Sequence, residues 1–442
     1  MKILLKNGLV IDPENDLDGV NDILIVNGKV ERIAQQIDKN SLEDQDFDDQ
    51  EQKIIDLEGK VVLPGLIDIH THLREPGYEQ KETIKTGCEA AAVGGFTKIA
   101  CMANTRPVAD NPATIEFINS KAREAVVKVF PVGAVTKDLA GENLAEIGFL
   151  ARDGVRALSD DGKSVMDSDI MRRAMEYADG FGMTIISHCE DENLVGEGVM
   201  NEGYYSTILG LKPIPSAAEE VIISRDIILS EFTGCPLHIA HLSTRRGVEL
   251  VAEAKDKGLP VTAEVTPHHL VLTDKAVMGY DPNTKVNPPL RSEEDREALR
   301  RGLQEGIIDV IATDHAPHTF EDKLGEYDRA ANGISGLETG LSLIYDKLIR
   351  KDIISWQKAV ELMVYNPAQV LNISEPGLCP GTGADLTIFD PEQDWQVDPD
   401  KFKSRGKNTP FAGCELRGKN LMTIVEGKIV YDNRGAKHEI IY

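Results

Sequence analysis

Short runs of apolar and β-branched residues alternate with amphipathic stretches through the middle of the chain, from about residue 63 to residue 377. This alternation predicts parallel strands joined by helices. The helices are expected over 83–93, 112–126, 169–178, 217–230, 245–257 and 293–304. The eight expected strands end near His70, Met102, Gly133, Ser159, His188, His241, Glu264 and Thr313. Eight successive units of this kind predict an α/β fold, a closed (β/α)8 TIM-like barrel.

The two ends of the chain have a different pattern, with short strand-like runs at 3–10, 22–26, 30–33, 384–389 and 422–425. Asn-Gly and Gly-Lys turn signals separate several of them. We expect the two ends to pair into one small β-sandwich domain, made of residues 1–62 and 378–442, beside a hydrolase barrel over 63–377. Residues 38–52 are polar and strongly acidic, which predicts an exposed loop.

The formal net charge of -26 argues against a nucleic-acid partner or an anionic membrane surface, since both would repel the protein. An anionic substrate would therefore need local cations, so any arginine near a site matters. No apolar run is long enough to span a bilayer and the first residues lack a signal-peptide layout, so a cytoplasmic enzyme is expected. The six cysteines stand singly and are read as reduced thiols.

Side chains that can bind a metal follow five of the eight predicted strands. In barrels of this kind, catalytic residues lie at the carboxyl ends of the strands, so these side chains should meet at one rim. Imidazole and carboxylate ligands suit zinc best among the divalent metals. The candidates are His70 and His72, the pair Asp160 and Asp161, then His188, His241 and Asp314.

Each candidate also has an ordinary structural interpretation. An H-x-H pair is about as often two packed histidines, and a single histidine at a strand end is usually a satisfied polar residue. Asp314 could be a helix N-cap, although His315 and His318 follow it closely and favour a ligand that also carries protons. The combination of five strand ends favours the metal site. His238 and the pair His268 and His269 are interpreted as structural.

Several longer motifs resemble the amidohydrolase superfamily and, within it, the type I dihydroorotases. The likeness extends over nearly the whole chain. Its motifs are DIHTHLREPG at 68–77, MANT at 102–105, SDDG at 159–162, NPPLR at 287–291, TDHAPH at 313–318 and KNTPF at 407–411.

The resemblance implies one or two zinc ions per chain, with two expected. His70, His72 and Asp314 would hold one zinc ion, and His188 and His241 the second. Many relatives bridge the ions with a carbamylated lysine, but the matching position here is Asp161, as in type I dihydroorotases. Allantoinases and hydantoinases usually keep the lysine, so Asp161 argues against them.

The family's substrate contacts fall on residues of several loops. Arg74 and Asn104 would bind a substrate carboxylate, and a guanidinium suits that task because it can donate two parallel hydrogen bonds. A salt bridge to a nearby acid is the structural alternative for Arg74. Family members often have an aromatic residue where this chain has Asn332. The full set of implied substrate contacts is His72, Arg74, Asn104, Asn287, His318, Asn332 and Gly333.

The implied reaction is the reversible cyclisation of N-carbamoyl-L-aspartate to (S)-dihydroorotate and water in de novo pyrimidine biosynthesis. A zinc-bound hydroxide would be the nucleophile in the hydrolytic direction, with Asp314 as the acid and base. A homodimer and an association with aspartate carbamoyltransferase are expected as partners. One alternative is an allantoinase or another cyclic ureide hydrolase. Another is a non-catalytic scaffold for aspartate carbamoyltransferase, although such proteins lack zinc ligands and every ligand position is filled here.

Overall fold

The computed structural model describes residues 2–38, 52–434 and 439–441. Residues 39–51 of the expected acidic loop lie outside this part, so that loop stays a prediction. The strands are β1 (Lys2–Asp12), β2 (Leu17–Val26), β3 (Lys29–Ala34), β4 (Gln52–Asp56), β5 (Val61–Pro64), β6 (Leu66–Thr71), β7 (Phe96–Cys101), β8 (Lys128–Pro131), β9 (Ala157–Leu158), β10 (Thr184–Ser187), β11 (Met200–Asn201), β12 (Pro213–Ile214), β13 (Leu237–Ile239), β14 (Val261–Val265), β15 (Val310–Ile311), β16 (Leu386–Gln396), β17 (Glu415–Val425), β18 (Lys428–Asp432) and β19 (Glu439–Ile440).

The α-helices lie mainly between the barrel strands. They are α1 (Ile84–Gly94), α2 (Pro112–Ala122), α3 (Ile147–Arg152), α4 (Ser168–Asp179), α5 (Glu192–Val195), α6 (Tyr204–Leu209), α7 (Ala217–Thr233), α8 (Arg245–Asp256), α9 (Pro267–Val271), α10 (Glu293–Gln304), α11 (Phe320–Lys323), α12 (Leu337–Lys347), α13 (Trp356–Val360) and α14 (Asn366–Val370).

Eight parallel strands form the barrel in sequence order. One sheet contains β6, β7 and β8, and a second contains β9, β10, β13, β14 and β15. Two isolated parallel bridges join these sheets, Gly133 with Leu158 on one side and Thr71 with His315 on the other. The ring is thereby closed, and the predicted (β/α)8 fold is confirmed, with each strand ending near its predicted residue.

The barrel interior is filled by an apolar cluster that draws on alternate residues of the strands, including Ile67, Ile186 and Val310. The intervening strand residues pack outward against the helices in a larger cluster. Helix α14 and Leu371 complete the interior cluster at one end. The Val370 carbonyl accepts a hydrogen bond of 3.0 Å from the Thr184 hydroxyl at the start of β10, so this plug covers the amino-terminal end of the strands.

The two chain ends share one sheet of nine strands, in the order β19, β18, β17, β16, β5, β1, β2, β3, with β4 paired to β1. Apolar residues from both ends, such as Ile3, Val62 and Ile388, form a single buried cluster. This agrees with the predicted sandwich built from both ends. The boundaries expected at 62/63 and 377/378 stay a prediction. Asn27 and Gly28 form the predicted turn between β2 and β3.

The sheet is tied to the barrel by a buried ion pair. Lys98 on β7 lies 2.6 Å from the Asp385 carboxylate just before β16, and Lys128 on β8 lies 3.1 Å from it. Asp385 therefore pairs with two lysines that project from neighbouring barrel strands, and Lys128 also pairs with Glu426 at 3.1 Å. No helix among the residues that the structure describes has both the length and the apolar character needed to cross a lipid bilayer.

Candidate metal centre and active site

The six predicted metal ligands converge at the carboxyl-terminal rim of the barrel. His70 lies on β6 and His72 follows that strand, while the others follow β9, β10, β13 and β15. All six side chains are buried. Two groups have donor atoms within 4.8 Å of one another, His70 with His72 and Asp314, and His70 with Asp161 and His241.

Asp161 belongs to the second of these groups and also faces His72 and His188. Its Oδ1 is 3.3 Å from Nε2 of His70, and 3.4 Å from both Nδ1 of His188 and Nε2 of His241. Its Oδ2 is 3.3 Å from Nε2 of His72. One carboxylate thus faces four imidazoles, which is the position that a ligand bridging two cations would occupy.

Asp314 faces the first group only. Its Oδ1 lies 3.1 Å from Nε2 of His72 and 3.6 Å from Nε2 of His70. The backbone φ angle of Asp314 is 47°, and those of His241 and Arg74 are 32° and 61°. Non-glycine residues seldom adopt this left-handed region, and such strained residues cluster at functional sites.

Two buried polar atoms of the cluster indicate that its residues fit a metal ion. Nε2 of His70 and Oδ1 of Asp161 are both buried, and neither has a hydrogen-bond partner among the residues that the structure describes. Buried polar atoms without a partner cost roughly 1–3 kcal/mol each, so native proteins rarely keep them. A cation between these lone pairs would satisfy both atoms. Imidazole nitrogens with carboxylate oxygens are a donor set for zinc or a similar transition metal.

The buried carboxylates of the cluster also favour positive charge at the site. Burial alone would lower the pKa of His70, but the carboxylates of Glu264, Asp161 and Asp314 raise it well above its usual value. Burial likewise opposes ionisation of Asp161, yet the surrounding imidazoles hold its pKa well below its usual range. Positive charge is therefore required between these groups, whether protons or metal ions supply it.

Glu264 was not singled out from the sequence, and it orients two histidines. This fully buried carboxylate on β14 accepts a short hydrogen bond from Nδ1 of His70 and one of 3.2 Å from Nε2 of His238. The first bond fixes the tautomer of His70 and leaves its Nε2 lone pair for a metal. His238, interpreted as structural, is thus linked to the site through Glu264. A single charged residue inside a strand of otherwise uncharged residues was the signal that could have revealed Glu264.

Glu190 is a second carboxylate that sequence reasoning missed. Its Oε2 lies 3.3 Å from Nε2 of His188 and accepts a hydrogen bond of 3.0 Å from the Asn287 amide. Although burial opposes protonation of His188, Asp161 and Glu190 raise its pKa to about 10. Glu190 follows His188 by two residues, and nothing in that spacing marked it.

Asn104 holds a neighbouring ligand in place. Its Oδ1 accepts a hydrogen bond of 2.9 Å from Nδ1 of His72, and its Nδ2 donates one of 3.3 Å to the Asp161 carbonyl. The first bond directs Nε2 of His72 at the two carboxylates. Asn104 therefore has an orienting contact in addition to the substrate contact expected for it, which stays a prediction.

A cavity of about 220 Å³ opens over the cluster. Five of the six ligands reach its wall, and His70 lies beneath them. The predicted substrate residues all line the same cavity, namely His72, Arg74, Asn104, Asn287, His318, Asn332 and Gly333.

Arg74 lines this cavity, and its guanidinium forms no ion pair among the described residues. Its Nε donates a hydrogen bond of 3.3 Å to the Pro317 carbonyl. Within the described part of the chain, no carboxylate oxygen lies within 4.0 Å of its guanidinium, so the salt bridge considered as its structural alternative is not formed there. A guanidinium without an ion-pair partner in the described part of the chain, lining an open cavity, suits an anionic ligand.

His318 is neutral and fixed. Burial, followed by the nearby Arg74 and Lys81 cations, lowers its pKa to about 3. Its Nε2–H donates a hydrogen bond of 2.8 Å to the Asn332 carbonyl, which ties the two predicted contact residues together.

His268 and His269 lie under the site and do not line the cavity. Nε2 of His269 donates to the Pro288 carbonyl at 3.0 Å, and its Nδ1 bonds to the Thr266 hydroxyl at 2.7 Å. These contacts agree with the structural role expected for His269. Nε2 of His268 is buried without a hydrogen-bond partner.

The barrel and the imidazole–carboxylate cluster at its carboxyl-terminal rim are those of the amidohydrolase class of enzymes. A family model described as "Dihydro-orotase-like" matches residues 59–247. A dihydroorotase of Syntrophus aciditrophicus is 52% identical over 432 residues, covering 98% of this chain and 99% of that protein. A dihydroorotase of Thermoanaerobacter sp. is 52% identical over 443 residues, covering 100% of both chains. The chain belongs to the dihydroorotase family.

Solved structures agree with this assignment at the level of fold. The L-hydantoinase (dihydropyrimidinase) of Arthrobacter aurescens superimposes with a TM-score of 0.85 at 27% identity, covering 100% of this chain and 97% of that one. A D-hydantoinase from Thermus sp. gives a TM-score of 0.81 at 23% identity, covering 99% and 97% of the two chains. At the latter identity the likeness concerns the fold alone.

Proposed function

We propose that the protein is a dihydroorotase that interconverts N-carbamoyl-L-aspartate and (S)-dihydroorotate in pyrimidine biosynthesis. The observation that carries the proposal is the unpaired Arg74 guanidinium in the cavity over the metal cluster. Dihydroorotate has a ring amide to be opened and a carboxylate to be held, whereas allantoin and hydantoin have no carboxylate. The family relatives and Asp161 at the bridging position support the same substrate.

Zinc is the metal proposed for the site, with two ions per chain. His70, His72 and Asp314 would hold one ion, His188 and His241 the other, and Asp161 would bridge them. When bound, such ions lower the pKa of water and polarise a carbonyl oxygen.

Asp314 is proposed as the acid and base. In the hydrolytic direction its carboxylate takes the proton from the attacking water and delivers it to the ring nitrogen as the carbon–nitrogen bond breaks. The products are the new carboxylate and the free ureido group, and ring closure reverses these steps. This role suits Asp314, because His70 and His72 hold its pKa below its usual value against the effect of burial. The carboxylate is therefore ionised and ready to accept a proton.

Arg74 is proposed to hold the substrate carboxylate, with Asn104, Asn287, His318 and the backbone at 332–333 completing the contacts. Because His318 is neutral, it adds no second charge and contacts the substrate as a hydrogen-bonding group. A homodimer, an association with aspartate carbamoyltransferase and a cytoplasmic location accompany the proposal as further predictions.

The substrate assignment is tested by following ring opening of dihydroorotate, allantoin and hydantoin. We expect dihydroorotate to be opened fastest, and Arg74→Met to raise its KM at least about tenfold because a charge-assisted hydrogen-bond pair is lost. Arg329→Met is the matched control, since Arg329 is exposed and does not line the cavity. Faster opening of allantoin or hydantoin, or an Arg74→Met variant with an unchanged KM, would contradict the proposal.

A further inference from the structure

A second cavity, of about 270 Å³, lies between helix α12 and the sheet formed by the chain ends. Its wall includes Glu338 of α12, Trp395 of β16 and Lys419 of β17. Phe402 and Lys403, from the segment between β16 and β17, also line it. It shares no lining residue with the cavity over the metal cluster. It is therefore a separate site, comparable in size with the catalytic one.

Two lysines in this wall have no acidic partner. Among the described residues, no carboxylate oxygen lies within 4.0 Å of the ammonium of Lys403 or of Lys419. Lys401 at the rim differs, because it pairs with Asp398 at 3.0 Å. Burial lowers the pKa of Lys419, and its Nζ lies 4.7 Å from the centre of the Trp395 ring. Unpaired, partly desolvated lysines are unusual in a chain with a net charge of -26.

The wall also contains two carboxyl groups, Asp398 and Glu338, and neither is paired with Lys403 or Lys419 in the part of the chain that the structure describes, since Asp398 pairs with Lys401. Glu338 accepts hydrogen bonds of 2.7 Å and 3.1 Å from the backbone N–H groups of Lys403 and Ser404. Burial nevertheless raises its pKa to about 8. At neutral pH this group is mostly protonated, so the cavity keeps a net positive charge beside an aromatic wall.

We propose that this cavity binds a small organic anion with a planar ring. Its carboxylate or phosphate group would lie between Lys403 and Lys419, and its ring would pack against Trp395 and Phe402. Charge-assisted hydrogen bonds from the lysines would hold the anion, and aromatic stacking would hold the ring. Such binding does not depend on the substrate of the catalytic site.

Trp395 provides a direct readout, because the chain has two tryptophans and the other, Trp356, stacks on Tyr345 outside the cavity wall. In a Trp356→Phe protein, emission reports on the cavity alone. The probes are benzoate and phenyl phosphate, with benzyl alcohol as the neutral ring and inorganic phosphate as the anion without a ring. Calorimetric titration of the wild-type protein repeats each measurement in case Trp356→Phe does not fold.

We expect saturable binding of benzoate or phenyl phosphate, and the stronger of the two identifies the anionic group. Lys419→Met and Lys403→Met should each weaken binding about tenfold, while the exposed control Lys257→Met leaves it unchanged. Arg74→Met should also leave it unchanged, which separates this site from the catalytic cavity. Equal binding of benzyl alcohol or of inorganic phosphate, no saturable binding, or a loss of binding in Arg74→Met would overturn the proposal.

Discussion

The two ends of the barrel are built from the same eight strands but differ in chemistry. At the carboxyl-terminal rim, six buried imidazoles and carboxylates surround one another, and two of their polar atoms lack a hydrogen-bond partner. At the opposite end, helix α14 and Leu371 cover the apolar cluster that fills the barrel interior. At the rim, the burial of charged groups lowers the stability of the fold but builds the site. At the other end, the burial of apolar groups stabilises the fold. Substitutions at the two ends should therefore affect different measurements.

The largest effect is expected for Asp314→Asn at the rim. The amide cannot accept the proton from water, so kcat should fall about 10³-fold, within the range usual for loss of a general base. The thermal unfolding temperature should change little, since the side chain keeps its size. Steady-state assays and thermal unfolding of the same preparation measure both quantities. Near-normal activity would show that another group moves the proton.

At the apolar end, Leu371→Ala should act in the opposite way. Leu371 is 1% exposed within the interior cluster, so its truncation should lower the free energy of unfolding by about 2–4 kcal/mol. Denaturant unfolding measures this loss, and kcat of the folded protein should stay close to the wild-type value. Ile228→Ala is the matched control, because Ile228 is 60% exposed and should change stability by less than about 0.5 kcal/mol. A large loss of kcat in Leu371→Ala would contradict the expectation that substitutions at this end affect stability and not catalysis.

A smaller effect at the rim is expected for Glu264→Gln. The substitution removes the charge that holds His70 in its metal-binding tautomer, and loss of such a partner usually weakens metal binding about 10–100-fold. Competition with a coloured chelator measures the affinity. Glu305→Gln, at an exposed position, is the control. Unchanged affinity would mean that the imidazole is oriented by its backbone alone.

Strand periodicity predicted the barrel because each strand is an apolar run with its own helix behind it. The ligands were predictable for the same reason, since a barrel gathers its strand ends at one rim. The neighbours Asp160 and Asp161 show where this reasoning stops. In the structure, Asp160 accepts hydrogen bonds from the backbone N–H groups of Val135 and Thr136, and only Asp161 faces the imidazoles. The local pattern contains both carboxylates, and the family resemblance was needed to choose between them.

The contacts of the supporting carboxylates could not be predicted for a different reason, although the charge of Glu264 within a buried strand marks that residue as unusual. Glu264 and Glu190 act through contacts with His70, His238 and His188 that join separate strands and loops. Such contacts depend on barrel closure and on side-chain direction, which residue spacing does not encode. Lys403 and Lys419 beside helix α12 are a similar case, since only the folded structure shows that no acid among the described residues pairs with them.

We propose that the rim cluster holds metal ions on which ring opening depends. The most direct measurement is the metal content of the purified protein, determined together with dihydroorotate hydrolysis before chelation, after chelation and after zinc is restored. We predict close to two ions per chain, a loss of nearly all activity on chelation and its recovery with zinc. A protein that is free of metal and fully active would contradict the account.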